Sequence, residues 1–152
     1  MKSAAVFTLA VLAMFAIAGG AVPFHVPLAP QAAQAQGADL KMQLKTAVTH
    51  AGFASGGQSL AYVQQHLGHA LNCIAGAKGP NFNPSWGHVC QGQGNGILVD
   101  LGSAPGGAAF RLVVQQADTL AAAGVKSKDL AEMKNVARGV AALLTVVVDQ
   151  LK

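Results

Sequence analysis

One glutamate, one tryptophan, one tyrosine and two cysteines are all that 152 residues contain of these types. Each shortage removes a class of function. A carboxylate-bridged di-iron bundle needs several glutamates and Glu-x-x-His pairs, and Glu132 stands alone. Six acidic residues in total offer no paired carboxylates for acid–base chemistry. The two cysteines do not form C-x-x-C-H, so a c-type haem is excluded. Charged residues make up only 11% and are scattered, with no basic run and no interleaved aromatics; this argues against nucleic acid. The glycine-rich stretch 91–96 has no strand before it and no Lys-Ser/Thr after it, so it reads as tight turns rather than a phosphate loop. No nucleophile elbow is present. A non-catalytic role is expected.

What is there begins at the N-terminus. Lys2 precedes an apolar run over residues 4–18, and Ala33-Gln34-Ala35 supplies small residues in an A-x-A pattern. A positive start, an apolar stretch and such a site predict a signal peptide over residues 1–35. The competing reading is an uncleaved anchor, because residues 4–22 are long enough to span a bilayer. Cleavage leaves a single domain, residues 36–152, periplasmic or secreted, with no stable membrane insertion. In an oxidising compartment Cys73 and Cys90 are expected to form one disulfide.

Strand signals are almost absent. Apolar residues recur at helical spacing in four segments. The first runs over about 39–54, with Asp39 as its cap and Leu40, Leu44, Ala47, Val48 and Ala51 on one face. The second runs over about 59–75, capped by Ser59, with Leu60, Val63, Leu67, Ala70, Leu71 and Ile74 inward. A glycine- and proline-rich loop follows over 76–96, and then a linker over 98–107; Asn72, Asn81 and Asn83, with Pro80 and Pro84, read as turn formers. A third helix is expected from Pro105 to about residue 123. A fourth, capped by Ser127, continues to the end and is expected to be the most buried. The fold class predicted is all-α: an antiparallel four-helix bundle with one long disulfide-pinned loop between helices two and three.

His66, His69 and Cys73 share one run on the second helix. Steps of three and four residues put them on one side, along with Tyr62. At about 100° per residue this stripe lies beside the apolar face, at a seam with a neighbouring helix. His50 on the first helix is axially offset from His66 by about 4–5 Å, within the reach of two imidazoles. A Cys73–Cys90 bond would draw His88 toward the stripe, with Trp86 as a lid. Imidazole suits copper, zinc and haem iron. The candidate ligands are therefore His66 and His69, supported by His50 and His88, for copper, zinc or a b-type haem. The alternative is a non-catalytic interaction module. In it the histidine stripe is structural, and Phe82 and Trp86 on the loop dock an unknown protein partner.

Overall fold

Asp39 turns its carboxylate onto the first helical turn, accepting from the Met42 amide at 2.8 Å, and opens helix α1, Leu40–Gly56. A computed structural model describes residues 39–151 of the chain. The expected signal peptide or anchor lies outside the described residues. Gly57 ends α1, and Ser59 caps α2, Leu60–Ala75, by accepting from the Tyr62 amide. After the loop come a four-residue α3, Ile97–Asp100, then α4, Arg111–Gly124, and α5, Leu130–Gln150. Two short 3₁₀ turns, Pro84–Trp86 and Gly107–Phe110, complete the set, and there is no strand among the described residues. None of the helices among the described residues is long and apolar enough to cross a membrane.

α1 packs on α2 and α5, and α4 packs on the same two helices. Their apolar stripes meet in one core that includes Leu44, Leu67, Leu71, Val114, Met133 and Leu144. Leu60 departs from the expected inward face and is 38% exposed. The most buried helix is α2, with nine of sixteen residues buried, against five of twenty-one in α5. α2 sits centrally because the loop covers its remaining side.

The described residues form five α-helices where four were expected. The linker contains α3, since Ile97 is fully buried and draws one helical turn onto the core. α4 begins six residues later than expected. Gly106 takes a left-handed φ of 71°, and the 3₁₀ turn that follows delays the α-helix to Arg111. The cap of α5 is Asp129, not Ser127. Ser127 instead donates to the Glu132 carboxylate at 2.6 Å and accepts from the Asp129 amide.

The loop is tied down at several points. The Cys73–Cys90 disulfide is present. Asn72 is not a turn former but a fully buried clamp on α2. Its amide nitrogen donates to the Asn83 and Gly87 carbonyls at 2.8 and 2.6 Å, and its oxygen accepts from the Asn83 amide at 2.8 Å. At the far end Asp100 is buried and accepts from Gln43 and twice from Asn95. There Gly76, at φ 69°, lies so close to Asn95 and Gly96 that a side chain would strike backbone at 1.9 Å.

Candidate metal centre

Three histidines converge where α1 and α2 face each other. Helical spacing on α2 puts His66 and His69 on one side, and α1 brings His50 opposite them. His50 Nδ1 lies 3.0 Å from His66 Nδ1 and 3.2 Å from His69 Nδ1. One ligand nitrogen from each of the three falls within 4.8 Å of the other two. Nitrogens on a tetrahedral zinc with bonds of about 2.0–2.1 Å stand about 3.3 Å apart. Two of the three separations are thus already near that value.

Partial burial sets the charge state. The His50 pKa is lowered to about 4, first by burial and then by His69 and His66 beside it. Burial also lowers His66, with His69 adding to it. His69 is lowered by burial too, against an opposing pull from the Trp86 carbonyl. A neutral imidazole keeps one ring nitrogen with a lone pair, so a second, charging proton competes little with a metal at neutral pH. The donor set is three neutral nitrogens, a set that suits zinc and copper and leaves coordination positions open.

Aromatic side chains wall the trio. Phe53 meets His50 and His66 edge-on, with centroids 5.6 and 5.3 Å away. The Tyr62 ring is 4.3 Å from that of His66. A cleft of about 560 Å³ at the α1–α2 turn begins at Phe53 and Tyr62. On the other side, the Gln65 amide nitrogen lies 2.9 Å from His69 Nε2 and donates to the Trp86 carbonyl at 2.6 Å.

The four histidines drawn together in the sequence analysis therefore separate. His50, His66 and His69 meet. His88 stacks edge-on against Phe82, with centroids 5.0 Å apart, and is not one of the three. The Cys73–Cys90 bond leaves no free thiol as a ligand. Trp86 is half-buried on the core, its indole flat against Gly68 of α2. Three further participants were missed: Phe53, Gln65 and the Trp86 carbonyl. Phe53 follows His50 by three residues and Gln65 precedes His69 by four, the spacings at which helical side chains touch. Those spacings were the available signal. No family model, curated protein or solved structure matches this chain.

Proposed function

We propose that the protein is a small exported metal-binding protein that holds zinc or copper at His50, His66 and His69. One observation carries this reading: three imidazole Nδ1 atoms from two helices approach a common point, with no acid or thiolate among them. Three imidazoles that close favour an ion over a b-type haem. Haem iron takes axial ligands on opposite faces of a flat ring, and the three rings here stand within 5.4 Å of one another. Held by three imidazoles, an ion would keep coordination positions open, so that small ligands or a receiving protein could complete its coordination. The role is carriage or buffering rather than catalysis. The disulfide supports an oxidising location, periplasmic or secreted, reached through the signal peptide of residues 1–35. We read the four long helices as an antiparallel four-helix bundle, with the site at its α1–α2 seam. Docking through the Trp86 loop is the weaker reading, because the indole rests on Gly68 of its own chain.

The test is elemental analysis of untagged protein expressed with its own export signal and purified without chelator, followed by zinc and copper titration. Near-stoichiometric zinc or copper is the expected result. Protein that stays free of both ions after incubation would overturn the reading, and iron with a Soret band would replace it with haem.

A further inference from the structure

The Trp86 carbonyl can be approached only by donors. Gln65 reaches it at 2.6 Å, a distance at which two carbonyl oxygens would repel, so the Gln65 amide nitrogen must face it. That same nitrogen lies 2.9 Å from His69 Nε2. Its second N–H is therefore directed at Nε2, which accepts, and the His69 proton sits on Nδ1. From Nδ1 it points to His50 Nδ1 at 3.2 Å. His50 Nδ1 is then an acceptor, and His66 Nδ1, 3.0 Å from it, is a second donor. One carbonyl on the loop thus sets the hydrogen-bond direction through all three imidazoles.

A metal held by the three Nδ1 atoms needs the opposite arrangement. His69 must then carry its proton on Nε2, where Gln65 at present aims a donor. The acceptor within reach is the Trp86 carbonyl. The next residue, Gly87, lies so near that a methyl group there would be 3.6 Å from Nε2.

Resting on the metal reading above, we propose that Gln65 is a positioning residue that holds His69 in the Nδ1–H tautomer, and that ion binding transfers the Trp86 carbonyl from Gln65 to His69 Nε2–H. The protons balance: Nδ1 gives one to water and Nε2 takes one from water, so the ring stays neutral. Outer partners of this kind orient metal-bound histidines and tune their basicity. Here the outer partner opposes the ion until it arrives, and the exchange ties metal loading to the disulfide-pinned loop.

Gln65→Glu exchanges a donor for an acceptor at equal length. In metal-free wild-type protein, two-bond ¹H–¹⁵N spectra of the ring should show His69 protonated at Nδ1. In Q65E the proton should move to Nε2, and zinc affinity by calorimetry should rise about tenfold. Gln65→Leu, which removes both contacts, should abolish the Nδ1–H preference while the helical content is kept. Metal-free wild-type protein already protonated at Nε2 would overturn the proposal and leave the metal reading standing. So would a Q65E protein whose zinc affinity is unchanged or weaker. A wild-type protein that binds no zinc or copper would overturn both.

Discussion

Gly68→Ala tests how tightly the Trp86 loop is seated on α2. A Cβ at residue 68 would lie 2.3, 2.4 and 2.7 Å from Cδ2, Cγ and Cε3 of the indole. Ordinary carbon contacts are about 3.5–4.0 Å, so the ring would have to retreat by about 1.2 Å. Its backbone has little freedom to follow. Gln65 holds the Trp86 carbonyl, Asn72 holds both Asn83 and Gly87, and the disulfide closes the loop at Cys90. Overpacking of this kind costs about 1–3 kcal/mol. Replacing a helical glycine by alanine returns about 0.5–1 kcal/mol. The net expectation is a loss of up to about 2.5 kcal/mol, a fall in Tm of up to about 10 °C for a domain of this size. Gly52→Ala is the internal control, because a Cβ there meets nothing within 4 Å. It should gain the helical term alone, about 0.5–1 kcal/mol. Urea denaturation of both variants gives the difference, and emission from the one tryptophan, Trp86, reports whether the ring has moved toward water. A G68A protein as stable as G52A, with unshifted emission, would refute the packing described.

Other perturbations act on the site and the core. His66→Ala should weaken zinc binding about 100-fold or more, since each ligand contributes a direct metal bond, with unchanged far-ultraviolet circular dichroism; equal affinity in that variant would remove His66 from the site. The His50 pKa is lowered in the folded protein, so the unfolded chain binds more protons below pH 6.5. Stability of the metal-free protein should be full above that value and fall as the pH drops toward 4. Urea midpoints at pH 7 and 4.5 measure this, and His50→Gln should lessen the fall. Asp118 is buried, with Oδ2 accepting from Asn81 and Oδ1 lacking a partner among the described residues, and its pKa is raised by burial. A raised carboxyl pKa means a penalty that is present at neutral pH, is relieved as the pH falls through the raised value, and is gone below about 3.9. Asp118→Asn should therefore raise the melting temperature at pH 7 and leave it nearly unchanged at pH 3.

Much of the helical frame was legible because its cause is local. Asp39 and Ser59 are capping side chains in sequence, and the core faces of α1, α4 and α5 follow the 3.6-residue period. The His66–His69 pair and the approach of His50 were legible for the same reason: a hairpin of two helices constrains which positions meet. What escaped depends on contacts distant in sequence. Ile97–Asp100 is too short for periodicity to reveal and is stabilised by Gln43, fifty-seven residues before its partner Asp100. Asn72 has the composition of a turn residue, yet the buried carbonyls of Asn83 and Gly87 recruit it as a clamp. The Trp86 indole occupies the space a side chain at Gly68 would take, a pairing across eighteen residues that no local pattern announces. His88 was drawn toward the trio by its nearness to Cys90, but Phe82 offers its ring a closer surface.

The division of residues between α1 and α2 has a mechanical consequence. His66, His69, Gln65, Asn72 and Cys73 all belong to α2, and the last three hold the Asn83–Cys90 part of the loop; of the three histidines, His50 alone belongs to α1. An ion bound by the trio would be a removable rivet between two helices, whereas the disulfide is a permanent seam between α2 and the loop. An ion present at one hundred times its dissociation constant would add about 2.7 kcal/mol to the folded state, similar in size to the about 3 kcal/mol of closing a sixteen-residue loop. Chelator and reductant should therefore act on different parts of the molecule: the first removes only the ion's added stability from helices that already pack together, and the second frees the loop while the three histidines stay in register.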